Sequence, residues 1–207
     1  MHCRRCPRLA SYLDEVKECY PDYHARPVPS FGPKRPRLLI VGLAPGVHGA
    51  NRTGRPFTGD HAGRLLYETL HRLGLSSQPE SVHRRDGLKL LHCRITNAVK
   101  CVPPQNKPVG AEVRNCNDFL AAELAAVASG GVIFALGGVA HGAVLKALAL
   151  KPKNFPFGHG NEHRLGNGCW LVDSYHCSRY NTQTRRLTTA MFHRVMGRAR
   201  TLAKIPR

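Results

Sequence analysis

The chain has 207 residues, 42% of them hydrophobic and 21% charged, a composition that fits a folded domain and excludes a disordered chain. Lys and Arg number 31 against 13 Asp and Glu, so the formal charge is +18 at pH 7. This charge points to a polyanion, with nucleic acid as the first expectation and a membrane surface or an acidic protein as alternatives. No apolar run approaches the roughly 20 residues of a membrane span. Residues 1–7 lack the apolar segment of a secretory signal, so we expect a reducing compartment.

Predicted elements alternate along the chain. Residues 1–36 contain a polar segment that favours a helix at 12–20, and then an extended arm that carries four prolines. Continuous apolar runs at 37–42, 94–99, 132–137 and 170–175 predict strands buried on both faces. Apolar residues at helical spacing predict helices near 65–73, 119–127, 139–150 and 188–203. The alternation predicts an α/β fold with a central, mostly parallel four-stranded sheet flanked by helices.

Polar or glycine-rich residues follow each predicted strand. The strands are followed by Gly42 and its turn, by Asn97, by Gly137 with Gly138, and by His176. Ligands of such sheets bind beyond the carboxyl ends of the strands. We therefore expect these residues to surround one pocket.

The eight cysteines include one closely spaced pair, Cys3 and Cys6. With Cys101 and Cys116 this pair could form a four-thiolate site, which suits either an iron–sulfur cluster or a structural zinc ion. The alternative is that Cys101 and Cys116 are ordinary buried thiols. We expect the remaining cysteines to be packing residues; they are Cys19, Cys93, Cys169 and Cys177. For Cys177, the alternative is a thiol near the pocket.

Three segments resemble the motifs of the family 5 (UDGb-type) uracil-DNA glycosylases. They are GLAPGVHGANRTGRPFTGD at 42–60, NAVKCVPP at 97–104 and HCSRYNTQT at 176–184. The resemblance implies the uracil-DNA glycosylase fold in one domain, 1–207, with 1–36 as a cluster-binding segment and arm. It also implies a structural 4Fe–4S cluster, with zinc as the alternative, on Cys3, Cys6, Cys101 and Cys116.

The resemblance implies a DNA repair enzyme that flips uracil out of DNA and hydrolyses its N-glycosidic bond, leaving an abasic site. Phe57 would stack on the base, although a Phe here could equally belong to the core. Asn97 would read the polar edge of the base, although an Asn after a strand is often a turn residue. His176 would donate a hydrogen bond to a base oxygen and stabilise the departing anion. Other deaminated bases, such as hypoxanthine, are expected substrates too.

The position of the water-activating group is open in this sequence. Gly42 and Ala44 belong to the expected substrate pocket, but Ala44 has no polar atom that could orient water. Asp60 is the expected substitute as a catalytic residue. Its alternative role is the N-cap of a helix that begins near Ala62. Asn51 is a weaker candidate for the water.

DNA contacts are expected from the loop after His176, formed by Ser178, Arg179, Tyr180 and Asn181. Tyr180 is the bulkiest candidate for a wedge in the duplex, or else a packing residue. The last carboxylate is Asp173, so the basic excess is concentrated in the C-terminal region. Lys100 is the one lysine of the three motifs, which favours a monofunctional enzyme. We expect a monomer in a prokaryotic-type cytoplasm, associated with the nucleoid while it acts on DNA.

Two other classes compete with the enzyme. A non-catalytic nucleic-acid-binding module with a four-cysteine metal site would explain the charge and the cysteines. It would leave the residues at the strand ends without a role. A phosphate-binding nucleotide enzyme is disfavoured, because the sequence has neither a P-loop nor a strand-linked G-x-G-x-x-G motif.

Overall fold

The computed structural model describes residues 2–206. Its strands are β1 (Leu38–Gly42), β2 (Cys93–Asn97), β3 (Val132–Leu136), β4 (Glu162–Arg164) and β5 (Trp170–Ser174). They form one sheet in the order β2-β1-β3-β5-β4. All neighbours run parallel except β4, which pairs antiparallel with β5. The mostly parallel sheet and its four predicted strands are confirmed.

The fifth strand, β4, corrects the predicted number of four. It consists only of Glu162, His163 and Arg164, and none of the three is buried. A short polar strand at the edge of a sheet has no continuous apolar run, so the pattern that revealed the other four strands is missing here.

Seven helices accompany the sheet in the part of the chain that the structure describes. They are α1 (Pro7–Cys19), α2 (Ala50–Thr53), α3 (His61–Arg72), α4 (Gly110–Ala125), α5 (Gly138–Ala147), α6 (Arg179–Gln183) and α7 (Thr189–Leu202). The helix expected at 12–20 begins earlier, because Pro7 occupies its first turn. Helices α2 and α6 were not predicted, since four or five residues are too few to show a helical period. Within residues 2–206, no helix combines the length and the apolar character needed to cross a membrane.

The helices cover both faces of the sheet. On one face, Leu66 of α3 and Phe192 of α7 pack in one cluster with Phe134 of β3. On the other face, Leu120 of α4 and Val144 of α5 belong to a second cluster, with residues of β1 and β3. Every residue of β1 and β3 is therefore buried. This burial on two faces explains why these strands are continuous apolar runs.

The proline-rich arm, 25–36, runs along the open side of β2. Phe31 and Ile95 exchange two backbone hydrogen bonds, with N–O distances of 2.9 and 2.8 Å. Gly32 has a φ of +120°, and a Cβ there would lie 2.4 Å from the carbonyl oxygen of Cys93. The arm therefore satisfies backbone groups of an edge strand that would otherwise be unpaired. The expected division of the chain into this N-terminal segment and one domain stays a prediction.

Candidate active site

A cavity of about 460 Å³ opens at the carboxyl ends of the strands. Of the predicted site residues, the structure brings Ala44, Phe57, Asp60, His176, Ser178 and Arg179 together in its lining. His61, Ala62, Leu43, Gly46 and Asn106 complete the lining. A pocket at this edge agrees with the expectation from the strand ends.

Gly42 lies behind the cavity and lets two predicted residues approach each other. A Cβ at Gly42 would lie 2.4 Å from Asn97 Oδ1 and 2.6 Å from Phe57 Cζ. Phe57 is 6% exposed and has a φ of +56°, a left-handed conformation that is unfavourable for a bulky residue. Its ring lies 5.9 Å from the imidazole of His176, with 28° between the two planes. The aromatic wall of the cavity is thus held in an unusual backbone conformation, as often occurs at ligand sites.

Asn97 ends β2 and is 3% exposed. No group within residues 2–206 donates a hydrogen bond to its side-chain oxygen, Oδ1. A buried acceptor without a partner costs free energy, so such an atom usually serves a ligand or a water molecule. Asn97 is next to Phe57, where it could meet the edge of a base stacked on the ring.

His176 follows β5 and lines the cavity. Burial lowers the pKa of His176 from 6.5 to about 4, so the imidazole is neutral at pH 7. A neutral imidazole carries one N–H donor. His176 can therefore donate a hydrogen bond to a ligand without bringing a positive charge. Its backbone oxygen accepts a hydrogen bond from Nδ2 of Asn181 at 2.8 Å.

Asp60 occupies the N-cap position of α3, but its carboxylate does not cap that helix. Instead, Oδ2 accepts a hydrogen bond from the N–H of Ala50, the first residue of α2, at 3.0 Å. Gly46 and Gly49 leave room for the carboxylate, because Cβ atoms there would lie 2.5 and 1.8 Å from Oδ1. Burial raises the pKa of Asp60, and the bond from Ala50 opposes this only in part. Asp60 is therefore the N-cap residue of α3 by position, as the alternative role predicted, but its side chain makes no capping hydrogen bond there, and its carboxyl group lines the cavity.

The two remaining residues of the first motif that bear on the water, Ala44 without a polar atom and Asn51 as the weaker candidate, have different places. Ala44 lines the cavity with its methyl group. Asn51 is completely buried and is not among the residues that line the cavity. Asp60 is therefore the better-placed of the two polar candidates.

The segment after His176 is a short helix, not the expected loop. Ser178 is the N-cap of α6, and its Oγ accepts a hydrogen bond from the N–H of Asn181 at 3.4 Å. Tyr180 is 70% exposed, so packing in the core is excluded for this side chain. The side-chain amide of Asn181 donates to the carbonyl of His176, as described above. This contact indicates that Asn181 positions His176 rather than contacting DNA directly.

Two polar residues of the cavity, His61 and Asn106, were not predicted from the sequence. His61 directly follows Asp60, and its Nε2 lies 3.2 Å from Oγ1 of Thr182. Asn106 lies two residues beyond the second motif, and no local signal marked it. Only the path of the chain between Cys101 and Cys116 brings it to the cavity.

Four cysteines line a second cavity, namely Cys3, Cys6, Cys101 and Cys116. Burial raises the pKa of the Cys101 thiol to about 12, and the other three thiols act in the same direction. Within residues 2–206, no group of three His, Cys, Asp or Glu side chains has the geometry to hold a single metal ion. The structure therefore brings the four predicted thiols to one place without the tight convergence of a one-ion site.

The other four cysteines follow the expectation with one exception. Cys93, Cys169 and Cys177 are buried, as packing residues should be, whereas Cys19 is exposed at the end of α1. The packing role is therefore wrong for Cys19. Lys100, which is 3% exposed, lies beside the four thiols and does not line the cavity at the strand ends.

Comparison with known proteins gives a consistent result. The model of the uracil DNA glycosylase superfamily matches residues 29–200. The chain is 48% identical to a type-5 uracil-DNA glycosylase of Thermus thermophilus, over 97% of this chain and 94% of the relative. It is 46% identical to one of Mycobacterium bovis, over 98% of this chain and 79% of the relative. A type-4 enzyme of Archaeoglobus fulgidus is 36% identical over 61% of this chain and 51% of the relative.

A solved structure supports the fold. Wild-type SMUG2 of Pedobacter heparinus superposes with a TM-score of 0.51, over 95% of this chain and 85% of the other, at 13% identity. The full-length identity to the curated relatives and the order of the three motifs agree with this fold. The chain therefore belongs to the uracil DNA glycosylase superfamily and, within it, to the type-5 uracil-DNA glycosylases.

Proposed function

We propose that this chain is a monofunctional DNA glycosylase that flips uracil out of DNA and hydrolyses its N-glycosidic bond. The observation that carries the proposal is the meeting of Phe57, Asp60 and His176 around one cavity, with the unpaired Oδ1 of Asn97 beside it. The relatives at 45–48% identity are named as uracil-DNA glycosylases. Product DNA would carry an abasic site.

Recognition of the base uses stacking and one amide. The flipped uracil would stack on Phe57, which forms an apolar wall of the cavity. Uracil presents an N–H donor between two carbonyl acceptors, and Asn97 offers the complementary acceptor and donor. The unpaired Oδ1 of Asn97 would then receive the N–H of the base.

Departure of the base leaves negative charge on its oxygens. His176, held neutral by burial, would donate a hydrogen bond to a base oxygen and stabilise this charge as it develops. Because His176 is neutral, it would stabilise the anion without protonating it. The mechanism thus needs no acid with a pKa near 7.

The sugar becomes cationic as the bond breaks, as in other glycoside hydrolysis. Asp60 would act in its ionised form, by orienting water or by stabilising the sugar cation. Its hydrogen bond from Ala50 fixes Oδ2, and Oδ1 lies against Gly49 and Gly46, the second of which lines the cavity. Ala44 adds no polar group and leaves room, which supports activity on other deaminated bases such as hypoxanthine.

A monofunctional mechanism is supported by the position of Lys100. Its Nζ donates to Oε2 of Glu123 at 2.7 Å and also to Oγ1 of Thr96. A lysine nucleophile must reach the sugar as a free amine. Lys100 is instead bound in an ion pair beside the cysteines.

DNA binding would use the start of α6 and the basic C-terminal region. Arg179 lines the cavity and is exposed, so it is placed for a phosphate, and Ser178 offers a hydroxyl beside it. Tyr180 would enter the duplex in place of the flipped nucleotide, since most of its side chain faces solvent. Arg198 of α7 would contribute less than an arginine without an acidic partner, because it forms two hydrogen bonds with Glu162. Action as a monomer on nucleoid DNA in the cytoplasm stays a prediction.

The four-cysteine cavity would hold a 4Fe–4S cluster. Burial raises the pKa of Cys101 and Cys116, so free thiolates are unfavourable there and a cationic centre is the natural partner of the four-cysteine set. Zinc requires four sulfurs at about 2.3 Å from one point, whereas a cluster accepts thiolates spread over four irons. The cluster would supply a structural link between the N-terminal segment and the residues after β2. Iron and sulfide analysis, together with the visible absorption of the purified protein, distinguishes a cluster from zinc.

The decisive experiment is incubation with a duplex that contains one uracil, followed by alkali cleavage at abasic sites. We expect cleavage by the wild-type protein and a loss of ~100-fold or more for His176→Ala. His71→Ala is the matched control, because His71 is exposed at the far end of α3, about 15 Å along the helix from His61. Full activity of the His176 variant would refute its assignment, and an inactive wild-type protein would favour the non-catalytic module.

A further inference from the structure

A groove of about 320 Å³ lies beside the edge of the sheet, and it shares no lining residue with the cavity at the strand ends. Residues of β4, β5 and the turn before β4 line one side, and residues of α7 line the other. Its apolar lining includes the buried side chains of Val172 and Val195. Its charged or titratable lining consists of His159, Glu162, Arg194 and Arg198. The proposed reaction uses none of these four side chains.

The ring of His159 is fixed with its proton on Nε2. The backbone N–H of Tyr175 donates to Nδ1 of His159 at 3.2 Å, so Nδ1 is the acceptor and the neutral ring carries its proton on the other nitrogen. Burial lowers the pKa of His159, and the charge of Arg194 lowers it further, so the ring is neutral at pH 7. Among residues 2–206, Nε2 has no hydrogen-bond partner. His159 therefore keeps one N–H donor for a ligand of the groove.

The carboxylate of the groove is already paired. Arg198 donates to both carboxylate oxygens of Glu162, from Nε at 2.8 Å and from Nη2 at 2.9 Å. A bidentate pair of this kind neutralises the carboxylate. Arg194 is exposed and has no ion pair in the part of the chain that the structure describes. The remaining charge of the groove is therefore positive, which favours an anion.

Tyr175 connects this groove to the strand ends. Its ring stacks on the ring of His159, with 5.1 Å between the centroids and 26° between the planes. The guanidinium of Arg186, an exposed residue, lies 4.7 Å from the centre of the same ring. Tyr175 directly precedes His176, which lines the cavity. A DNA strand with one base in the cavity would therefore pass close to the groove.

We propose that the groove between α7 and the β4–β5 edge binds a phosphate of the DNA backbone, with the guanidinium of Arg194 and Nε2–H of His159 as donors. This inference rests on the proposed function, which places DNA at the neighbouring cavity. A guanidinium presents parallel N–H groups to phosphate oxygens, and the imidazole adds one more donor. Such a contact adds affinity without reading the base.

The first test compares Arg194→Gln with Arg164→Gln. Both variants lose one positive charge, but Arg164 pairs with Trp170 at the start of β5, about 13 Å along the strand from its carboxyl end. The measurement is the Kd for a duplex with one abasic site at several salt concentrations, which requires no excision. Arg194→Gln should raise the Kd ~10-fold at low salt and lower the slope of log Kd against log salt by about 0.9, the loss of one phosphate contact. Arg164→Gln should keep the wild-type slope.

His159→Asn tests the second donor. Oδ1 of Asn can accept the N–H of Tyr175 in place of Nδ1, whereas the Nε2–H donor is lost. The Kd should rise ~3-fold in the wild-type background and by less in the Arg194→Gln background, since both donors serve one phosphate. Melting temperatures close to that of the wild type show that the variants are folded. Fully additive effects would remove His159 from the site.

The proposal is overturned if Arg194→Gln keeps the wild-type salt slope. It is also overturned if Arg164→Gln changes the Kd and the slope as much as Arg194→Gln does, because net charge would then explain both effects. A wild-type protein that binds the duplex but releases no uracil would instead refute the proposed function. The binding comparison of the variants would still be measurable in that case.

Discussion

The side-chain amide of Asn181 donates to the backbone carbonyl of His176 at 2.8 Å, and this contact joins helix α6 to a residue that lines the cavity. The Oγ of Ser178 in turn binds the backbone N–H of Asn181. The segment expected to touch DNA thus also orients the residue expected to assist the chemistry. DNA that docks on α6 would meet a surface already coupled to His176.

Asn181→Ala should lower turnover by ~10-fold with little change in KM, because the orientation of His176 is loosened while Arg179 remains. The variant should lose about 1 kcal/mol of stability with the hydrogen bond. Thr184→Ala is the control, since Thr184 is exposed at the end of the same helix. Steady-state kinetics on uracil-containing duplex give both constants. A rise in KM with normal turnover would show that Asn181 contacts DNA directly.

Asp60→Asn should lower activity while it raises stability. Asn keeps an oxygen that accepts the hydrogen bond from Ala50 but carries no charge. Because burial raises the pKa of Asp60, its charge destabilises the folded protein at neutral pH. The variant should therefore melt at a higher temperature than the wild type at pH 7 and excise uracil ~100-fold more slowly.

The raised pKa of Asp60 also determines the acidic limb of the pH–activity profile. Wild-type activity should fall as the pH decreases through the raised pKa of Asp60, and the residual activity of Asp60→Asn should lack this limb. Initial rates across the acidic range measure it. An unchanged rate and an unchanged limb in the variant would exclude Asp60 from the reaction.

His176 should make stability depend on pH in a defined window. Its pKa is lowered from 6.5 to about 4 by folding, so between these values the unfolded chain holds the proton and the folded protein does not. The contribution of His176 to the free energy of unfolding is therefore highest above pH 6.5, where the imidazole is neutral in both states, and it is lost as the pH falls toward 4. His176→Gln has no such titration, so its melting temperature should fall less than that of the wild type on acidification. Parallel melting curves for the two proteins across this window would contradict the assigned shift.

Gly42→Ala should close the base site. The added Cβ would lie 2.4 Å from Asn97 Oδ1 and 2.6 Å from Phe57 Cζ, so one of these groups must move. We expect uracil excision to fall by ~100-fold or more and stability to fall by about 1–3 kcal/mol, as overpacking does. Gly142→Ala is the control, because a Cβ at Gly142, in α5, meets nothing within 4 Å. Normal activity of Gly42→Ala would show that Phe57 and Asn97 do not act as a pair.

Much of the fold and part of the site were predictable because they depend on local sequence. β1 and β3 are buried on both faces, and such strands are continuous apolar runs in any parallel sheet. Asn97 and His176 were predictable because they lie at or just beyond the ends of strands, and the ends of parallel strands meet at one edge. The short elements α2, α6 and β4 were not, since so few residues show no period.

The sequence by itself determined the class of fold and the family, and it identified the residues to which the proposed chemistry is assigned, because strand runs and motifs are properties of consecutive residues. Only the tertiary structure decided what those residues contact. It directs the carboxylate of Asp60 to α2 instead of α3. It brings Asn106 to the cavity, next to Lys107, whose carbonyl oxygen accepts a hydrogen bond from Arg8. It also gathers thiols from both ends of a hundred-residue span into one cavity. Such contacts join residues far apart in the chain, and they follow from how helices pack on the sheet, which hydrophobic periodicity does not encode.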